Sequence, residues 1–225
     1  MKILKLFLAF IVITGTVACQ HTQKTTTQSS DTSTDKSELE ELYWDRIERS
    51  RTSFTKADVK FMTGMIAHHA QALVMSRLAP ENGASPEIQR LAARIINAQK
   101  DEIKSMQQWL RDRDQPVPEI DIDGLNLMIE INGEPYTMYK KMRGVLSQQQ
   151  IEELAAAKGS DFNRLFLKYM IEHHSGAVYM VENLFNTDGA AQDDQAFRLA
   201  SDIQVDQRTE IDRMQQMLDQ LNESG

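Results

Sequence analysis

The sequence predicts an all-α fold built around a four-helix bundle. Apolar residues recur at helical spacing over most of residues 54–221. Helix caps, prolines and glycines punctuate that pattern at intervals suited to helices of globular length. The first pair of helices is also repeated in the second half of the chain. A chain of 225 residues is long enough to bury a sizeable core without disulfides. Its formal charge of -8 argues against a nucleic-acid-binding protein, which should be basic. The single cysteine excludes an intramolecular disulfide and a multi-thiolate metal site. Twelve methionines and five histidines, four of them in two adjacent pairs, are the unusual counts.

Residues 1–18 carry Lys2 and Lys5, then an apolar run from Phe7 to Ile13, then small residues to Ala18. This is the pattern of a secretory signal peptide, and the run is short for a membrane span. Cys19 follows Val17-Ala18, where a lipoprotein leader places the residue that is lipidated; plain secretion with a free cysteine is the alternative. Removing residues 1–18 takes away two lysines and no acid, so the formal charge falls to about -10. Residues 19–37 are rich in Thr, Ser and Gln, and residues 20–37 lack strong apolar side chains. They read as a flexible tether, with His21 an incidental linker residue. Residues 38–225 then form one helical bundle domain.

Within that domain one helix is expected over about Thr55–Leu78, ended by Pro80, Asn82 and Gly83. The next begins at Ser85-Pro86, a cap followed by a first-turn proline, and runs to about Arg113. Residues 114–134 hold two prolines and two glycines around a partly alternating stretch, which fits either a short hairpin or an irregular crossover. Ser147 and Gln150 form a capping box for a short helix to about Lys158. Long helices over about 161–185 and 191–221 complete the chain.

The repeat is gapless where it is strongest. FMTGMIAHHAQALVM (61–75) matches FLKYMIEHHSGAVYM (166–180), and QKDEIKSMQQWL (99–110) matches QRTEIDRMQQML (207–218). The repeated units span about 54–113 and 159–221. Each is a helical hairpin with an apolar stripe it cannot bury alone, and two such hairpins packed together make a four-helix bundle.

On a helix turning about 100° per residue, Met65, His68, Ala72 and Met75 share one face, with His69 on its flank. Met170, His173, Ala177 and Met180 repeat that row, with His174 on the flank. The following helices carry Gln99, Glu102 and Met106, and Gln207, Glu210 and Met214. Thioether selects Cu(I), whereas imidazole and carboxylate alone suit zinc or iron, so copper is the expected ion and zinc or iron the alternative. His68 and His173 are favoured over their neighbours as ligands on angle. Glu102 and Glu210 serve as supporting acceptors or as ligands to a harder ion. The bland alternatives are core methionines and a Glu–His network satisfied without metal. There is no phosphate-binding glycine loop, HExxH, CxxC or ferritin-type Glu-x-x-His pair, so no catalytic residues are indicated.

These residues carry a resemblance to the domain-of-unknown-function family numbered 305. Its pattern is matched by Asp58, Phe61, Met65-Ile66, His68-His69, Ala72 and Met75, and by the second copy from Phe166 to Met180. Its Gln, Glu-Ile and Met helix is matched at 99, 102–103 and 106, and at 207, 210–211 and 214. A Met-x-Gly-x-Leu-Ser run is matched at Met142, Gly144, Leu146 and Ser147. The resemblance implies a ferritin-like helical protein, secreted or lipid-anchored in the cell envelope, with some members associated with copper. It implies a supporting role for Asp58, which Asn163 replaces in the second copy. The expected function is copper binding or buffering at the outer membrane, facing the periplasm. The alternatives are an envelope interaction module without metal, with an envelope protein as partner, and a di-metal or redox enzyme.

Overall fold

The computed structural model describes residues 32–223. Residues 1–31, and with them the expected leader, Cys19 and most of the expected tether, lie outside the described residues. The chain divides into a unit ending at Leu42 and a unit running from Tyr43 to the end, and the second holds the helical bundle and the crossover. Among the described residues no helix is long and apolar enough to cross a membrane.

Helix α1 (Thr32–Thr52) covers the last residues of the stretch expected as a tether. Helices α2 (Lys56–Arg77), α3 (Pro86–Arg111), α5 (Gly159–Phe185) and α6 (Asp194–Glu223) form the four-helix bundle, and the short α4 (Gln148–Ala156) precedes α5. The main packing pairs are α2 with α3, α5 with α6, α2 with α5, and α3 with α6. The ends sit where capping chemistry puts them. Thr55 caps α2 in a box with Asp58, Ser85 caps α3 ahead of Pro86, and Ser147 and Gln150 cap α4 reciprocally.

Burial follows composition. α2 is apolar almost all round and is buried on nearly every side, as an inner helix must be. α3 and α6 bury single stripes: Ile88, Leu91, Ala92, Ile95, Gln99, Ile103 and Met106 on one, Ala196, Ala200, Ile203, Gln207 and Met214 on the other.

α2 and α5 run antiparallel, and each hairpin is tied to the loop of the other. Asp58, at the start of α2, accepts from the backbone N–H of Ala191 in the α5–α6 loop at 2.7 Å. Asn163, at the start of α5, accepts from the N–H of Ser85 in the α2–α3 loop at 3.1 Å. The replacement of Asp by Asn in the second repeat thus conserves a role: both side chains are buried acceptors for a loop amide. Trp109 Nε1 donates to Asp193 at 2.9 Å, and Arg113 pairs with the same carboxylate.

The crossover contains a small antiparallel sheet: β1 (Glu119–Asp123), β2 (Asn126–Ile131) and β3 (Glu134–Pro135), in that order. Two-residue loops join the strands. Gly124 has φ 56° in the first, and Asn132 and Gly133 have φ 54° and 77° in the second, as tight hairpin turns require. This resolves the sequence alternatives in favour of a hairpin, extended by a third strand. Ile129 and Tyr139 pack on Ala67 and Ala70 of α2. The chain then passes along the α2–α5 seam. There Gln71 grips Leu146 by both backbone groups, at 2.9 and 2.7 Å.

Gly64 and Gly176, on the two inner helices, make room for this crossover. A Cβ on Gly176 would lie 2.0 Å from the carbonyl oxygen of Arg143, and one on Gly144 would lie 2.7 Å from that of Glu172. Helix propensity alone favours Gly176→Ala by about 1 kcal/mol. The backbone clash opposes it, so we expect a net loss of about 1–3 kcal/mol in urea unfolding. A variant as stable as wild type would show that the crossover does not lie on α5 as described.

Candidate metal centre

The bundle brings all four paired histidines to its centre, each 0% exposed. His68 of α2 and His173 of α5 meet across the antiparallel crossing, with ring centroids 3.9 Å apart and planes tilted by 41°. His68 Nε2 lies 3.2 Å from the carbonyl oxygen of Arg143 in the crossover. A carbonyl only accepts, so Nε2 carries the proton and Nδ1 presents a lone pair. His173 has a hydrogen-bond partner at neither ring nitrogen.

The second histidine of each pair turns toward the outer helices. His174 Nε2 donates to Glu210 of α6 at 2.7 Å. His69 Nε2 stands at the same distance from Glu102 of α3, but off the line of a directed hydrogen bond, so both atoms remain without one. Nδ1 of His68, His69 and His174 is buried and unpartnered. Buried polar atoms are normally hydrogen-bonded, so this concentration of orphaned nitrogens in one place calls for an explanation.

Electrostatics keep the central pair neutral. Burial, reinforced by His69, lowers the pKa of His68 to about 3. Burial and then the neighbouring His68 hold His173 well below the ordinary value. Neutral imidazole is the form that binds metals.

A cleft of about 440 Å³ between α3 and α6 leads in from the surface over Glu102 and Glu210. Gln99 and Gln207 line it, each 1% exposed; both amide atoms of Gln99 and the carbonyl oxygen of Gln207 lack partners. Asp206 adds a third carboxylate. Burial raises its pKa, and Glu102 and Glu210 raise it further. Sequence reasoning passed over Asp206 because the repeat breaks there: its counterpart is Ala98. The Arg143 carbonyl was equally invisible, since a backbone contact leaves no residue signature.

Among the described residues, no group of three or more His, Cys, Asp or Glu side chains is placed to hold a metal ion. The nitrogen and oxygen donors come in pairs, so a fuller ligand set must draw on thioether, amide oxygen or water. Thioethers are abundant: Met65, Met75, Met106, Met170 and Met214 are all 0% exposed. Their grouping crosses the repeats. Met65 and Met106 belong to one apolar cluster, against which Met180 packs, and Met75 joins Met170 and Met214 in another. The antiparallel crossing explains this. A methionine seven residues beyond its histidine projects toward the opposite end of the partner helix.

Asp58 is the expected site residue that the structure puts elsewhere. One oxygen accepts from Ala191, and the other from the backbone N–H and hydroxyl of Thr55 at 2.7 and 2.8 Å. It lies almost three helical turns before His68, and its task is to hold a helix start and a loop.

In the metal-free protein the neutral imidazoles imply a definite pH dependence. The unfolded chain protonates its histidines below about pH 6.5, whereas folded His68 resists until about pH 3. The unfolded state therefore binds more protons through that window, so stability is full above it and falls progressively as the pH drops from 6.5 toward 3. The urea midpoint should fall between pH 7 and pH 5, and less steeply in His68→Gln. Equal slopes for the two proteins would contradict the burial of His68 as a neutral ring.

The model of the family described as "Domain of unknown function (DUF305)" matches residues 58–218. A crystal structure of a DUF305 fragment from Deinococcus radiodurans is similar at 28% identity and a TM-score of 0.60, covering 75% of this chain and 99% of that one. CopM in its Cu(I)-bound form is similar at 29% identity and a TM-score of 0.52, covering 75% of this chain and 98% of CopM. The uncharacterized protein L153 of Acanthamoeba polyphaga mimivirus is 36% identical over 63 residues. The match spans 28% of this chain and 41% of that relative's length. With most of its bundle matched by the family model, the chain belongs to the DUF305 family.

Proposed function

We propose that this protein binds copper in the cell envelope, buffering it or handing it on. The single observation that carries the reading is the set of four buried imidazoles at the α2–α5 crossing, five of whose ring nitrogens have no protein partner beyond the two His–Glu contacts and the Arg143 carbonyl. His68 and His173 supply neutral nitrogen donors. His69 and His174 are oriented by Glu102 and Glu210, as histidine ligands are commonly oriented by carboxylates. Met65, Met75, Met106, Met170, Met180 and Met214 supply soft thioether sulfur around them, with Gln99 and Gln207 as amide support. That mixture suits copper in both common oxidation states better than zinc or iron. The similarity to CopM, solved with Cu(I) and with Cu(II), supports the same choice.

The leader-like residues 1–18 and Cys19 support placement outside the inner membrane, with Cys19 lipidated and the bundle facing the periplasm from the outer membrane. A purely structural Glu–His network accounts for His174 but leaves His69 without a directed hydrogen bond and His173 buried with no partner at either nitrogen. That is costly for a core without another purpose.

Competition titrations with Cu(I), Cu(II) and Zn(II) test the proposal. Copper should bind at least about tenfold more tightly to the wild type than to His68→Ala/His173→Ala, a difference of about 1.4 kcal/mol. Equal affinities in a folded double variant would leave only the structural module.

A further inference from the structure

The cleft between α3 and α6 holds more polar groups than the two His–Glu contacts use. Gln99 and Gln207 line it from its buried side, each 1% exposed. Both amide oxygens, and Glu102 Oε2, are buried without a directed hydrogen bond. Against these three acceptors stands one unpartnered donor, Gln99 Nε2. A floor so rich in acceptors calls for a ligand rich in donors. Glu210 and Asp206 line the same cleft, and among the described residues no Lys or Arg pairs with any of the three carboxylates. Burial, and then Glu102 and Glu210, raise the pKa of Asp206, and a cation between them relieves that repulsion.

The cleft also carries two arginines. Arg94 and Arg213 line it, both exposed, and neither has an ion-pair partner among the described residues. α3 and α6 are the return helices of two antiparallel hairpins, so they run antiparallel to each other. Arg94, eight residues before Glu102, and Arg213, three residues after Glu210, therefore come to the same end of the cleft. Opposite charges thus face one space without pairing. Asp206, Arg94 and Arg213 correspond to Ala98, Asp202 and Ser105 in the other repeat, so duplication does not account for them. A single bare ion is a poor occupant, because no three of the acidic and imidazole groups are placed to share one. A molecule with a cation at one end and an anion at the other fits, and about 440 Å³ admits one of amino-acid size.

We propose that the α3–α6 cleft binds a small basic amino acid. Its side-chain cation lies among Glu102, Glu210, Asp206 and the two amide oxygens, and its carboxylate reaches Arg94 and Arg213. A guanidinium suits the inner end, since its five donors lie in one plane and it has no acceptor. Three acidic and two basic side chains leave the lining one negative charge, which a ligand of net charge +1 balances. The site goes beyond the copper reading and does not depend on it. Each glutamate turns Oε2 to its histidine and keeps Oε1 for the cleft.

The test is isothermal titration calorimetry of the purified full chain, stripped of metal and exchanged into chelator-free buffer, against three probes. L-arginine should bind saturably at one site. L-citrulline, in which a neutral urea replaces the guanidinium, should bind at least about tenfold more weakly, and so should agmatine, which lacks the carboxylate. Arg94→Ala/Arg213→Ala, at two exposed positions, should weaken L-arginine about tenfold without weakening agmatine. Asp206→Asn/Gln99→Leu should weaken both cationic probes while keeping the wild-type helical circular dichroism. No saturable binding of L-arginine, citrulline binding as tightly as arginine, or an arginine-pair variant that loses both probes alike would overturn the proposal. Saturable Mg²⁺ binding that Asp206→Asn abolishes, with no response to L-arginine, would make the cleft an ion site and overturn it as well. Copper affinity of Arg94→Ala/Arg213→Ala should match the wild type, so failure of this site and failure of the copper reading show separately.

Discussion

Two imidazole rings in contact at the crossing of α2 and α5 set the terms for the rest of the molecule. A pair of neutral histidines at full burial has large desolvation costs on protonation, so the bundle must exclude water around it and supply no opposing charge. The antiparallel crossing does this with the fold's approximate two-fold symmetry. The same operation that brings His68 to His173 sends His69 to Glu102 and His174 to Glu210. It also ties each hairpin loop to the other hairpin through Asp58 and Asn163. The polar centre is therefore held by the elements that fold the protein, and no mobile loop has to bring its donors together.

The two sides of the centre differ in chemistry. Toward α3 and α6 the imidazoles meet carboxylates and amides at the base of an open cleft, an environment for charged or borderline ions. Toward the crossover they meet a backbone carbonyl and, one turn away, the side-chain ends of Met142 and Met180 over Gly64. Symmetry describes the first side well, apart from Asp206. It fails on the second, because a single crossover cannot contact both repeats in the same way. Gln71 grips the crossover from α2, while its counterpart on α5 is Gly176, which must be bare to let Arg143 pass.

Much of this was legible in the sequence because it is written in side-chain identity. The gapless match of residues 61–75 with 166–180 marks the two inner helices. Thr55, Ser85 and Ser147 fix helix starts to within a residue or two, since a cap is a local interaction. The candidate ligands were legible as rows on a helix face. Their grouping was not. Met75 and Met180 belong with the opposite repeat's methionines, a fact set by helix direction, which periodicity does not encode. The preference for His68 and His173 over their neighbours came from angle alone. In the fold both members of each pair are buried, and it is the flanking histidines that meet the glutamates. Asp206 breaks the repeat and so escaped a reading built on it. Gly64 and Gly176 make room for the crossover, whose path depends on a sheet that the sequence left undecided.

The central claim is that the unpartnered imidazole nitrogens are metal donors. Long-range ¹H–¹⁵N spectra of the histidine side chains, recorded with and without one equivalent of Cu(I), address it most directly. The account predicts neutral His68 and His173 rings in the metal-free protein at pH 7, and large ¹⁵N shifts of both once copper is added. Histidine nitrogens unchanged at saturating copper would contradict it.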